Sequence, residues 1–327
     1  MSAGPGVQIQ PSLSTIREAQ KFLAKYFAPT RLIAAPFLSY RTGKNVHLKL
    51  ETELPTGSFK VRGAFYALAE RMKKGSVREV VASSTGNHGA AVAYAAKEFG
   101  IAAKIFLPAN CNPVKRGRIA ALGAAIVESG GGDLASAFEL AAMCAKQPGV
   151  FFLNDATDVD LPAGPATIAC EILEQLPKAS SMIVPMGDTA LVRGIAAAAK
   201  QIAPQVRIIG VQAERAPAYY LSWKEGKVVG TETCDTIADG LATRTPEPAN
   251  VREVKKLVDD VVLVSEEQML RAIEVLLVEE HVVAEPAGAA STAALLKSSQ
   301  DCGDCPVLVV SGANISREVL KRALQVA

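Results

Sequence analysis

Aromatic residues are scarce in this chain, at 5% of its 327 residues with a single tryptophan. A core of this size cannot lean on rings, so Ala, Val, Leu and Ile must fill it, within an apolar fraction of 49%. Alanine-rich helices over β-branched strands suit a layered α/β architecture. Charge of one sign is also missing: the net charge is +2, which offers no basic face for nucleic acid. No apolar run reaches the length of a membrane span, and Met1 to Pro11 lacks the basic-then-apolar pattern of an export signal. A soluble, cytoplasmic protein is expected. Six cysteines lie dispersed, which reads as reduced thiols. Cys302-Gly-Asp-Cys305 has redox spacing but lies in a turn without a helix to lower a thiol pKa, so no redox role is expected. There is no solenoid repeat and no low-complexity segment.

The length suggests about two domains. Apolar spacing predicts a helix over Ser12 to Phe27, ended by Pro29, then a turn at Arg41 to Asn45 and a strand over Val46 to Leu50. Strand, glycine loop and helix then recur: Glu79 to Ser84 with Ala90 to Phe99, Ala102 to Leu107 with Pro113 to Leu122, and Ala125 to Glu128 with Asp133 to Lys146. Three such units argue for a parallel sheet wound by helices. The pattern resumes with a helix from Pro165 to Gln175, a strand Met182 to Pro185, a helix Ala190 to Ile202 and a strand Val206 to Gln212. Residues 213 to 260 read as mostly loop. Val261 to Val264 is a strand, Ser265 opens a helix as a capping box with Gln268, Ala287 to Lys297 is a helix, and the strand Val307 to Val310 precedes a final helix.

Chemistry concentrates in the loops. In Thr56-Gly57-Ser58-Phe59-Lys60-Val61-Arg62-Gly63, Ser58 is placed to cap a helix through Phe65 and Leu68. A solvated lysine needs neither flanking glycine, whereas a lysine bonded to a cofactor ring needs close backbone approach on both sides. Read alone, an ordinary first-turn lysine fits as well. Ser84-Thr85-Gly86-Asn87-His88-Gly89 groups two hydroxyls, an amide and an imidazole where a strand meets a helix. Met186-Gly187-Asp188-Thr189 precedes a helix whose first N–H groups suit an anion, although Asp188 repels one unless it turns away or caps the helix. Ser311-Gly312-Ala313-Asn314 ends an apolar strand and offers one hydroxyl.

Taken in order with Val184-Pro185-Met186-Gly187, Ile237-Ala238-Asp239-Gly240 and Glu285-Pro286-Ala287-Gly288-Ala289, these segments resemble the pyridoxal-phosphate enzymes of fold type II, in the serine/threonine dehydratase and serine racemase branch. The resemblance spans nearly the whole chain. It implies two open, mainly parallel twisted sheets wound by helices, with pyridoxal 5'-phosphate as cofactor. Lys60 would hold the cofactor's aldehyde carbon, Phe59 would cover a ring face and Asn87 would meet the ring hydroxyl. Gly187, Asp188, Thr189, Ala190 and Leu191 would sit at the phosphate, and Glu285 would belong to the cofactor site. Ser311 would face the ring nitrogen, where a neutral hydroxyl favours β-elimination over the long-lived carbanion that transamination needs.

The implied reaction is elimination from a β-hydroxy amino acid such as threonine or serine, giving a 2-keto acid and ammonia. Lys60, its pKa lowered by a desolvated pocket, would remove the Cα proton. Ser84, Thr85, Gly86, Asn87 and His88 would grip the substrate carboxylate, with His88 either donating to it or packing under the loop. The resemblance also implies a large domain of residues 1–75 and 155–327, a small mobile domain of 76–154 that closes on the substrate, and a homodimer. Racemisation is the alternative, with a hydroxyl of Ser84 or Thr85 as the second proton carrier. A binding protein that has lost the cofactor is a third reading.

The chain departs from the family in three places. The phosphate loop, usually four glycines, reads Gly187-Asp188-Thr189-Ala190. The acidic metal positions of racemase-like relatives appear as Gln212 and Ala218, so no metal is expected. The usual His-Pro and Gly-Gln-Gly-Thr appear as Asn154-Asp155 and Gly164-Pro165-Ala166-Thr167, near the substrate side chain. A regulatory C-terminal domain is not expected.

Overall fold

The computed structural model describes residues 10–109, 111, 113–130 and 134–326. Asp133, an expected helix start, and most of Met1 to Pro11 lie outside these residues. In chain order the elements are α1 (Leu13–Leu23), β1 (Leu32–Ala34), α2 (Pro36–Thr42), β2 (His47–Leu50), α3 (Lys60–Lys74), β3 (Glu79–Ser83), α4 (Asn87–Phe99), β4 (Ala102–Pro108), α5 (Pro113–Ala121), β5 (Ala125–Ser129), α6 (Leu134–Cys144) and β6 (Val150–Phe152). They continue with α7 (Ala163–Gln175), β7 (Ser181–Pro185), α8 (Ala190–Ile202), β8 (Arg207–Ala213), α9 (Ala218–Glu225), α10 (Pro248–Leu257), β9 (Asp260–Val264), α11 (Glu266–Val278), α12 (Pro286–Lys297), β10 (Pro306–Val310) and α13 (Arg317–Ala323).

Two sheets result, as the sequence implies. One has six strands in the order β1-β2-β10-β7-β8-β9, parallel except for the β1–β2 pair, and the other has four parallel strands in the order β5-β4-β3-β6. In β10 every residue is buried. Side chains alternate across a strand, so Leu308 and Val310 join the layer of Ala289 and Ala293 from α12, while Val307 and Val309 join Ile168 of α7 and Ile195 of α8. Helices on both faces explain why this strand reads as a continuous apolar run. In β3 the same alternation sends Val80 and Ala82 towards Ala91 of α4 and Val81 towards Ala137 of α6.

The structure corrects three local expectations. Helix α1 stops at Leu23, six residues before Pro29, and passes into turns. The stretch after β1 forms α2, with Pro36 in its first turn and Gly43 at a left-handed φ of 66° closing it. Residues 213 to 260 contain α9 and α10, the latter burying Val251, Val254 and Leu257 on one face behind Pro248. The capping box of Ser265 and Gln268 forms as the spacing predicts.

Candidate active site

The sequence brings chemistry to the carboxyl ends of the strands, and the backbone brings those ends together. After β10, the N–H of Phe59 donates to Ser311 O at 3.0 Å and that of Ala313 to Gly57 O at 2.9 Å, while Ser58 and Gly312 form a bridge. The loop bearing Lys60 is thereby joined to the end of β10. Ser58 does not cap α3: its backbone is taken by the bridge, the cap position falls on Phe59, and its buried Oγ has no partner among the described residues. Gly164 lies where α7 passes the start of α3, and a Cβ there would stand 2.3 Å from Arg62 O.

The residues expected at the cofactor and at the substrate line one cavity of about 790 Å³: Phe59, Lys60, Ser84, Thr85, Gly86, Asn87, His88, Gly187, Asp188, Thr189, Ala190, Leu191, Glu285 and Ser311. Ser84 Oγ accepts from Gly86 N at 3.3 Å, and Ser311 is buried. Among the described residues, no group of three His, Cys, Asp or Glu side chains is arranged to hold a metal. Gln212 is buried and accepts from Tyr220 N at 2.9 Å; Ala218 begins α9.

Lys60 Nζ pairs with Asp155 Oδ2 and lies 5.4 Å from the centre of the Phe59 ring. The expectation of a lowered pKa is overturned. Burial does oppose the ammonium, but the charge and hydrogen bond of Asp155, helped by Asp188 and Glu285, hold the amine above the ordinary lysine range. Asp155 shows the converse. Burial works against its charge, yet His88 and Lys60 keep the carboxyl well below the usual carboxylate range. The sequence signal for Asp155 was its place in the family's His-Pro segment, but nothing in one chain showed that it reaches Lys60.

His88 is tied under the loop through one ring nitrogen. It is 5% exposed, and Nε2 donates to Leu153 O at 2.9 Å. Its Nδ1 stands 3.8 Å from Asp155 Oδ2 with no hydrogen-bond partner among the described residues. Burial, with Lys60 nearby, lowers its pKa despite Asp155.

Asn87 Nδ2 donates to Glu285 Oε1 at 2.6 Å, and Asn314 Nδ2 donates to Asn87 Oδ1 at 2.7 Å. At the loop before α8, a Cβ on Gly187 would fall 2.0 Å from Gly240 O, so only a glycine leaves this backbone in place. Thr189 adopts φ 70°, a left-handed conformation rare for a β-branched residue. Its Oγ1 accepts from Arg193 Nε at 3.0 Å. Asp188 turns to Thr243, whose Oγ1 donates to Oδ1 at 3.0 Å. Burial and the charge of Asp155 push the Asp188 carboxyl up to about 6.

The family described as pyridoxal-phosphate dependent enzyme matches residues 23–312. An L-threonine ammonia-lyase of Thermotoga maritima is 37% identical over 96% of this chain and 78% of its own length. Among solved structures, maize serine racemase superposes with TM-score 0.87 at 30% identity, covering 97% of each chain. The processed form of threonine deaminase isoform 2 from Solanum lycopersicum superposes with TM-score 0.88 at 28% identity, covering 100% of this chain and 93% of its own.

Proposed function

Because the chain belongs to the pyridoxal-phosphate dependent enzymes, we propose that it is an ammonia-lyase converting a β-hydroxy amino acid, threonine or serine, to a 2-keto acid and ammonia. The observation that carries this reading is an enclosed lysine amine at converging strand ends, with the neutral Ser311 lining the same cavity.

The site fits the cofactor. Gly187 to Leu191, where α8 starts, line the cavity, and the first N–H groups of that helix are donors suited to a phosphate. Lys60 would hold the cofactor, Phe59 and Asn87 would flank its ring, and Gly187 to Leu191 would meet its phosphate. Glu285 orients Asn87, and Ser311 would face the ring nitrogen. When bound, pyridoxal phosphate supplies an electron-withdrawing ring conjugated to the substrate's Cα.

The remaining steps belong to this chain's residues. Lys60 Nζ takes the Cα proton, and Asp155 beside it stabilises the ammonium so formed, which strengthens the base. The loop from Ser84 to His88 binds the substrate carboxylate through backbone N–H groups and hydroxyls. We take 76–154 as a small mobile domain over a large domain of 1–75 and 155–327; the separate sheet of β3 to β6 supports these bounds. Its closure excludes water.

No helix of the described residues is long and apolar enough to cross a membrane, and Cys144, Cys170, Cys234, Cys302 and Cys305 are free thiols. A cytoplasmic homodimer without nucleic-acid partners fits this and the near-neutral charge. Racemisation is the second reading, favoured by Ser84 in the same cavity as Lys60. The test is keto-acid release from threonine and serine by the holoprotein, with chiral analysis of recovered substrate. Release that Lys60→Ala abolishes is expected. A yellow holoprotein that scrambles stereochemistry without releasing keto acid would select racemisation.

A further inference from the structure

Asp155 follows the short strand β6, which pairs with β3, so its loop runs beside the loop of Ser84 to His88. The loop is fixed at both edges. Asn154 Oδ1 accepts from Ala156 N at 3.1 Å, and Asn250 Nδ2 donates to Ala156 O at 2.9 Å. Asp155 is therefore a placed carboxylate, 17% exposed, rather than a side chain free to swing out to solvent.

A second acceptor stands next to it. Because His88 spends the proton of Nε2 on Leu153 O, Nδ1 of the neutral ring presents a lone pair, 3.8 Å from Asp155 Oδ2 and without a partner. Two acceptors facing one another repel unless a donor lies between or beside them. Lys60 Nζ fills that need here, but as the neutral amine that takes the Cα proton it carries no charge, and the pair is then open to a donor on the substrate.

We propose that Asp155, with His88 Nδ1, is the specificity-determining acceptor pair for the substrate's β-substituent: it admits hydroxyl or ammonium groups, which donate, and rejects β-carboxylates. This rests on the elimination reading above. Distance supports it. Lys60 Nζ must reach the Cα proton, so an acceptor that touches Nζ stands within two hydrogen-bond lengths, roughly 6 Å, of Cα and its β-substituent. The other charges of the cavity agree. Asp188, Asp239 and Glu285 also line it and, among the described lining residues, outnumber Arg118, which donates to Asn314 Oδ1 at 3.1 Å. An acidic side chain would meet like charge in a dry site, and burying an uncompensated charge is costly.

The test compares serine, 2,3-diaminopropionate and 3-hydroxyaspartate on the holoprotein. Apparent affinity is read from the change in cofactor absorbance, and keto-acid release is followed separately. Serine and diaminopropionate are expected to bind at least about 100-fold more tightly than hydroxyaspartate. Asp155→Asn should narrow that gap about tenfold or more, and Asp155→Glu should keep it. A merely structural role would weaken all ligands together. Equal affinity of the native protein for the three compounds, or an unchanged gap in Asp155→Asn, overturns the proposal. Should the variants fail to fold, the ranking by the native protein decides. Binding in the expected order without keto-acid release would sink the elimination reading and leave the role of Asp155 standing.

Discussion

Asn314 Nδ2 donates to Asn87 Oδ1 at 2.7 Å, so a residue beyond the last strand of the large sheet sets the orientation of the first residue of α4. The other end of the Asn87 amide donates to Glu285 Oε1. Acceptor and donor ends are thus both assigned, and the amide keeps one hydrogen for a ring substituent. Removing Asn314 should release this choice. Asn314→Ala is expected to weaken cofactor binding about fivefold, the worth of one hydrogen bond of about 1 kcal/mol, in a fluorescence titration of the apoprotein. Unchanged affinity would show that Glu285 alone suffices.

How much of this was legible in the sequence follows from which interactions are local. Strands such as Val307 to Val310 announce themselves because both faces are buried, and Ser265 with Gln268 because a capping box spans three residues. Lys60, Asn87 and Ser311 were legible as motifs, each within one loop. What escaped depends on distant partners. Helix α10 was missed because its short apolar face is interleaved with Arg252, Glu253, Lys255 and Lys256. The raised pKa of Lys60 was missed because it comes from Asp155, ninety-five positions away. Arg193 escaped because it lies beneath the loop rather than in its motif.

Thr189 stands left-handed in place of a glycine, which for a non-glycine residue costs about 1–2 kcal/mol. Thr189→Gly relieves that cost but removes the acceptor of Arg193 Nε, a buried charged donor whose bond contributes about 1.5–3 kcal/mol. The lost bond outweighs the relief, so the glycine variant should be about 1 kcal/mol less stable in urea unfolding. Thr189→Ser should be close to neutral. A stabilised glycine variant would show that Arg193 does not depend on the hydroxyl.

Behind Lys60, Arg62 joins Glu51 at 2.7 Å and Glu171 at 2.5 Å, and Lys49 meets Glu171 at 2.6 Å, all four side chains being buried. Arg62→Met leaves Glu51 without its cation. Breaking a buried pair in this way costs about 3–5 kcal/mol. Burial works against the charge of Glu171, but Arg62 and Lys49 outweigh it and hold its pKa below the ordinary value. A depressed carboxyl contributes stability above its unfolded pKa and loses it as pH falls, so the deficit of Arg62→Met should shrink in acid. Urea midpoints at neutral and acidic pH check both the size and the trend.

Asp188 should behave in the opposite sense. Its folded pKa of about 6 lies above the unfolded value of 3.8, so between these values the folded protein binds more protons than the unfolded chain. Stability is then fully present below about pH 4 and falls as pH rises through about 6. A shift of about two units corresponds to roughly 3 kcal/mol as an upper bound. Asp188→Asn removes this cost while keeping an oxygen for Thr243 Oγ1. In the apoprotein the variant's advantage should therefore grow from about pH 4 to pH 6 and stay level above pH 7, read from urea unfolding across that range. It should also bind the cofactor's phosphate more tightly at neutral pH, since a like charge has been removed. A difference that does not vary with pH would mean that Asp188 stays ionised in the folded protein, with Arg193 as its counter-charge.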